Sequence, residues 1–257
     1  MIGAIAGDVI GSVFEHRNNK SIDFELFRSG SCFTDDTVLT VATAEALLTD
    51  GDFGAAYRRW FRRYPSAGYG GMFRVWARSS SAGPYHSFGN GSAMRVSPVA
   101  WAFDDLDAVC EASRASAAVT HDHPDGIAGA QALASAVYLA RKGHGRDEIR
   151  SAVSRVYGYD LDRTLDSIRP NYAFDVTCAG SVPEAIIAFL ESEDFEGAIR
   201  KAISLGGDSD TIACMAGAVA EAYYGGVPGL IEREVLSRLP DDMLAVIDAF
   251  KVFRTAD

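Results

Sequence analysis

No two cysteines in this 257-residue chain have metal-ligand or redox spacing: Cys32, Cys110, Cys178 and Cys214 stand far apart, without a CxxC motif. Disulfide frameworks, zinc ribbons and thioredoxin-like chemistry are therefore not indicated. Long apolar runs are missing too, so no membrane-spanning helix is expected. The opening MIGAIAGDVIGSVFEHR is apolar at its start, but it lacks a basic leader and carries Asp8, which argues against a secretory signal. A cytoplasmic protein with small buried thiols is the expectation. Basic charge is scarce: 24 Lys and Arg face 35 Asp and Glu, a net charge of −11. That balance argues against an extended nucleic-acid surface. It also requires any anionic ligand to be met by a local device, such as a cation, a helix N-terminus or a nest of amides. Alternating strand patterns closed by hairpin turns are few.

What the chain does have is helical periodicity, with 48% hydrophobic residues. It runs over 37–50, 104–121, 123–143, 181–192, 194–207, 210–226 and 240–253. Segment 104–121 opens on an Asp cap, and 123–143 is small or apolar almost all round, which predicts a central helix. SVPEAIIAFLES is predicted to start on Ser181, with Glu184 completing a capping box and Pro183 in the first turn. Segment 194–207 stops at Gly206-Gly207. Asp8 falls in a further helix of small residues. Alanine, glycine and serine stand where leucine is usual, so helix axes can approach closely. The predicted fold is all-α: a single compact orthogonal multi-helix domain over 1–257, expected to be monomeric. Segments 14–33 and 65–97 have no regular pattern. The second is rich in Gly and Ser yet carries Tyr69, Phe73, Trp76, Tyr85 and Phe88, the kind of long loop that bears function. Arg58, Arg59, Arg62 and Arg63 read as a solvated helix face, Arg95 as one half of a structural ion pair, and Cys214 and Met215 as core.

Two oxygen-rich clusters precede helices. FTDDT supplies Thr34, Asp35, Asp36 and Thr37; GGDSDT supplies Asp208, Asp210 and Thr211. Asp and Thr are natural N-caps, and acidic residues suit the first turn. A cap needs only one side chain, however, and surplus carboxylates repel one another if they meet. A divalent cation reverses that energetic sign. The donors are all hard oxygens, with no His or Cys among them, which selects Mg2+, Mn2+ or Ca2+ over Zn2+. So many ligands suit two ions, roughly 3.5–4 Å apart in such sites.

FTDDT, GNGSAMR and GGDSDT, in this order, resemble the ADP-ribosylglycohydrolase family, which includes the dinitrogenase-reductase-activating glycohydrolase. GAIAGDVIGSVFE, THDHPDGIAGAQA and AYYGGVP extend the likeness over about residues 2–230. The resemblance implies an all-α fold with a binuclear Mg2+ or Mn2+ centre at the bottom of a cleft. The matching ligands are Thr34, Asp35, Asp36, Asp208, Asp210 and Thr211, with Asp210 the candidate bridge. Glu15 matches a glutamate on a mobile loop implicated in catalysis. Asn90, Gly91, Ser92 and Met94 match the segment around the ribose and diphosphate, and His121 matches a histidine that contacts ADP-ribose. Where the nitrogenase-regulating members carry an Asp three residues before this Asn, the chain has Ser87. Serine-linked and small-metabolite acceptors therefore stand beside an arginine-linked one.

The reaction so implied is hydrolysis of the glycosidic bond between ADP-ribose and an acceptor, through an oxocarbenium-like transition state. Glu15 and Asp36 are the candidate carboxylates for activating water and stabilising positive charge. Gly89, Gly91 and Ser92 offer backbone amides to the diphosphate. Phe88, Tyr85 and Tyr224 are candidate faces for adenine. His121 is a candidate donor to the substrate, His123 a helix-entry residue, and Asp8 a support for the metal cluster. The alternatives are a hydrolase of small ADP-ribosyl metabolites or of nucleic-acid-linked ADP-ribose, and a binding module without turnover.

Overall fold

The computed structural model describes residues 1–255. The helices are α1 (Ile2–Gly11), α2 (Asp35–Leu48), α3 (Phe53–Arg63), α4 (Gly71–Arg78), α5 (Gly91–Met94), α6 (Val99–Ala102), α7 (Leu106–Ala118), α8 (Pro124–Arg141), α9 (Arg146–Tyr157), α10 (Leu165–Ile168), α11 (Cys178–Leu190), α12 (Phe195–Ile203), α13 (Ser209–Tyr223), α14 (Gly229–Leu236) and α15 (Asp241–Thr255). Among the described residues the one β-type pairing is an isolated bridge, Gly89 to Thr177. The fold is all-α. No helix is long and apolar enough to cross a membrane.

Local chemistry explains most boundaries. Thr34, Asp52, Asp105, Thr177 and Asp194 each cap a helix by accepting a backbone N–H. His123 enters α8 the same way: its Nδ1 accepts the Asp125 N–H at 3.1 Å. Gly206 and Gly207 both adopt φ of +71°, a left-handed turn that ends α12 and lets α13 begin two residues later.

Several expectations need correction. The helix predicted to start on Ser181 starts at Cys178, because Thr177 takes the cap. Pro183 therefore lies inside α11, and Glu184 pairs with Arg163 at 2.8 Å instead of closing a capping box. Segment 65–97 is not wholly irregular, since α4 and α5 lie within it. Arg58 is not merely solvated: it donates to the Ser79 and Ala82 carbonyls and stacks 3.9 Å from the Trp76 ring centre. Among the described residues Arg95 makes no ion pair; it is buried and donates to the Ser116 carbonyl and the Thr120 hydroxyl. Cys178 and Cys214 are buried thiols, but Cys32 is exposed and Cys110 half-buried.

The buried axis of the fold is α13 rather than α8. Every α13 residue from Ser209 to Ala222 is buried, and α1, α8, α11 and α12 pack around it. Helix α1 touches it backbone to backbone through Gly3, Gly7 and Gly11, one stripe at i, i+4 and i+8. A Cβ at Gly7 would stand 2.0 Å from the Ala213 carbonyl oxygen, and one at Gly11 2.6 Å from the Asp210 Cα. No larger residue fits such an approach. This packing sets Asp8 on α1 beside the first turn of α13.

Candidate active site

The two oxygen-rich helix starts meet. Asp8, Asp36 and Asp210 place carboxylate oxygens within 4.8 Å of one another, and so do Glu15, Asp208 and Asp210. Asp210 belongs to both groups. Thr211 Oγ1 donates to Asp36 Oδ2 at 3.4 Å, which links α13 to α2. Thr34 caps α2 by accepting from the Asp36 N–H at 3.3 Å, and its hydroxyl donates to Asp8 Oδ1 at 2.7 Å. Asp8 also accepts from the Thr34 and Thr37 amides at 2.9 and 3.0 Å and from the Thr37 hydroxyl. Asp8 is thus the clamp that holds the start of α2 against α1.

The electrostatics of this cluster are unfavourable without a cation. Burial pushes the Asp36 carboxyl well above the usual carboxylate range, and Asp8, Asp35 and Asp208 add to it. Asp210 is raised well above that range by burial, then by Asp36 and Asp208. Asp35 is pushed up to about 8, first by burial and then by Asp8. Asp8 reaches about 6: burial raises it, and the Thr34 and Thr37 donors hold it back. Asp36 Oδ1 and Asp210 Oδ1 are buried with no hydrogen-bond partner. An all-oxygen donor set with two orphaned oxygens fits a hard divalent cation.

Above the cluster lies a cleft of about 540 Å³. The first residues of α2, α4, α5 and α13 all line it, so four helix N-termini face one cavity. At α2 and α13 their partial positive charge faces Asp35, Asp36, Asp208 and Asp210, which leaves the α4 N-terminus and the Gly89–Gly91 amides for an anion. The loop before α5 is tied down by Asn90 N–H to the Val176 carbonyl at 2.7 Å and Cys178 N–H to the Phe88 carbonyl at 3.0 Å. Glu15 sits on the turn after α1 with a 29% exposed side chain and lines the cleft; burial, with help from Asp208, raises its pKa.

Of the residues singled out in the sequence, Glu15, Thr34, Asp35, Asp36, Asp208, Asp210, Thr211, Phe73, Ser87, Gly89, Asn90, Gly91, Met94, Arg95, Tyr85 and His121 line this cleft. Others do not. The Ser92 hydroxyl is turned away and donates to the Gly126 carbonyl at 2.7 Å. Phe88 stands half exposed against the His123 ring, outside the cleft lining. The Tyr224 hydroxyl is bound to Arg146 and Ser192, away from the cleft. The Asn90 side chain is turned to the acidic cluster: its Nδ2 donates to Asp208 Oδ2 at 2.6 Å and to Ser181 Oγ at 3.1 Å. The 68–73 wall of the cleft falls within segment 65–97, which the sequence marks as a loop that bears function, whereas the Phe174–Val176 edge was missed. The signal for the first was present in GYGG, whose small residues permit close approach; Phe174 and Val176 carry none.

Comparisons with known proteins place the chain in a family. The family model for ADP-ribosylglycohydrolase matches residues 1–255. The ADP-ribosylhydrolase ARH3 of Homo sapiens is 29% identical over 306 residues, covering 88% of this chain and 84% of its own length. The ADP-ribosylarginine hydrolase Tri1 of Pseudomonas putida is 28% identical over 262 residues, covering 88% of this chain and 69% of its own. A solved structure of an "ADP-ribosylglycohydrolase-related protein complex" superposes with a TM-score of 0.73 at 26% identity, covering 98% of this chain and 97% of its own. The chain belongs to the ADP-ribosylglycohydrolase family.

Proposed function

We propose that the protein hydrolyses the glycosidic bond between ADP-ribose and an acceptor, with two divalent cations, Mg2+ or Mn2+, held by the acidic cluster. The observation that carries this reading is the pair of carboxylate groups sharing Asp210, with Asp36 and Asp210 each presenting an orphaned oxygen below the cleft. Asp36, Asp208, Asp210, Thr34, Asp35 and Thr211 would hold the ions. When bound, they supply Lewis acidity toward the ribose hydroxyls and water.

The chain's own residues do the rest. Asn90 locks Asp208 in one orientation through its 2.6 Å bond, so the donor set is built before the substrate arrives. The amides of the Gly89–Gly91 segment and the N-terminus of α4 receive the diphosphate. Water attacks C1″ while the bond to the acceptor breaks and its electron pair leaves with the acceptor. Glu15 is the better placed of the two candidate bases. It stands on a turn at the cleft wall, whereas Asp36 is 2% exposed and accepts from Thr34 and Thr211. The negative charge of Glu15 stabilises the developing oxocarbenium; as the new C1″–oxygen bond forms, Glu15 takes the proton of the attacking water, and that proton passes on to the departing acceptor atom. At the mouth, Ser87 accepts from the Gly89 N–H and offers no charge, which favours a hydroxyl-linked or neutral acceptor over a guanidinium.

The test is a panel of arginine-, serine-, ester- and nucleic-acid-linked ADP-ribose, each with Mg2+ and with Mn2+. Release of ADP-ribose that disappears with EDTA and in Asp210→Ala supports the reading. Full activity surviving both treatments, or no release from any substrate, sinks it.

A further inference from the structure

Arg95 carries a positive charge into the core without a counter-charge. It is fully buried and forms no ion pair among the described residues. Its Nη2 donates to the Ser116 carbonyl at 2.9 Å and to Thr120 Oγ1 at 2.8 Å, and its plane stacks 4.1 Å from the Tyr57 ring centre. Its Nε and Nη1 have no partner. An unpaired buried cation is costly, so its retention at a cleft wall asks for a role.

The chain of contacts continues one step further. Thr120 Oγ1 lies 2.7 Å from His121 Nδ1. A guanidinium can only donate, so Arg95 occupies a lone pair of the Thr120 oxygen. The hydroxyl proton is then free to point at His121 Nδ1, which makes that nitrogen the acceptor and leaves the ring proton on Nε2. Tyr85 is the other neighbour of this hydroxyl, and burial pushes its phenol up to about 12, so it keeps a proton of its own. Burial, and then the charge of Arg95, hold His121 well below the usual histidine range, so the ring is neutral. Among the described residues Nε2 has no hydrogen-bond partner. It faces the Gly89–Gly91 segment, where a Cβ at Gly91 would lie 3.3 Å from it.

We propose that Arg95 is a positioning residue: through Thr120 it holds His121 as the neutral Nε2–H tautomer and aims that N–H along the Gly89–Gly91 segment at an anionic oxygen of the ligand. Only the identity of the ligand rests on the function proposed above. The design has a physical logic. A histidine free to choose its tautomer would present a lone pair to a phosphate part of the time, and one free to protonate would make binding depend on pH. A buried guanidinium two bonds away prevents both.

The test is a two-bond 1H–15N correlation spectrum of the Mg2+-loaded protein, with and without ADP-ribose. His121 is expected as the Nε2–H form in both. Thr120→Val removes the relay without changing the shape, and should give a mixed or inverted tautomer with about a tenfold weaker Kd for ADP-ribose. Thr120→Ser should restore both. An Nδ1–H tautomer in the unaltered protein overturns the proposal and needs no variant. So does an unchanged tautomer in Thr120→Val, whatever its affinity. If the tautomers behave as stated but ADP-ribose does not bind, the relay stands and the functional reading falls.

Discussion

Without a bound cation, the protein's stability should fall as pH rises, the reverse of the usual behaviour of paired carboxylates. The Asp8 carboxyl is pushed up to about 6 in the fold, against about 3.9 in an unfolded chain. The folded state therefore binds its proton more tightly, and that advantage is lost as pH climbs from the unfolded value through the folded one. The full displacement is worth about 3 kcal/mol. Between pH 5 and pH 8, Asp8 alone removes about 1.4 kcal/mol by linkage. Asp35, Asp36 and Asp210 move in the same direction. Asp35 keeps a face open to the cleft, so solvent screens its larger displacement. For a chain of this size the Asp8 share alone lowers Tm by about 3–6 °C. The assay is thermal melting of metal-stripped protein by circular dichroism at pH 5 and pH 8, repeated with saturating Mg2+ or Mn2+. The cation should cancel the slope, because it binds the ionised form. A metal-free Tm that is flat or rising over this range refutes the reasoning, as does a slope that saturating cation leaves untouched.

Asp210→Asn should raise the metal-free Tm at pH 8, by relieving repulsion in both carboxylate groups, while calorimetry shows cation affinity reduced by about a hundredfold or more. Glu15→Gln should lower kcat by about 10²–10⁴-fold in a turnover assay yet keep the cation-induced rise in Tm. Gly7→Ala should cost about 1–3 kcal/mol or more in urea unfolding, because a Cβ 2.0 Å from a carbonyl oxygen forces α1 away from α13.

Much of the site was legible because its chemistry is local. FTDDT and GGDSDT carry more oxygen than a cap can use, and the structure brings them within bonding distance. The Gly206-Gly207 stop was readable for the same reason, since two consecutive left-handed residues exclude most alternatives. What could not be read depends on partners distant in the chain. Asn90 reads as a ribose contact until Asp208, 118 positions away, is found 2.6 Å from its amide. Ser181 scores as a cap because Ser-x-x-Glu is a good capping pattern, but Thr177 lies one turn earlier and Asn90 needs the serine hydroxyl. Arg95 suggests an ion pair because buried arginines usually have one; a backbone carbonyl and a hydroxyl take its Nη2 and an aromatic face takes its plane instead, while Nε and Nη1 stay unpartnered among the described residues. Helix α4 is hidden by the glycines and serines around it.

The glycine stripe of α1 has one more consequence. Where side chains interdigitate, a helix can slide or rock by exchanging rotamers. At Gly3, Gly7 and Gly11 there are none to exchange, and Gly217 of α13 offers none either. The two helices must therefore travel together, carrying Asp8 and Asp210 as fixed points of one body. On the α1 side of the cleft, any opening that admits a substrate has to begin after Gly11, in the turn that bears Glu15. The boundary between what moves and what stays thus falls within four residues, between the carboxylates that would grip the cations and the one that would meet the water.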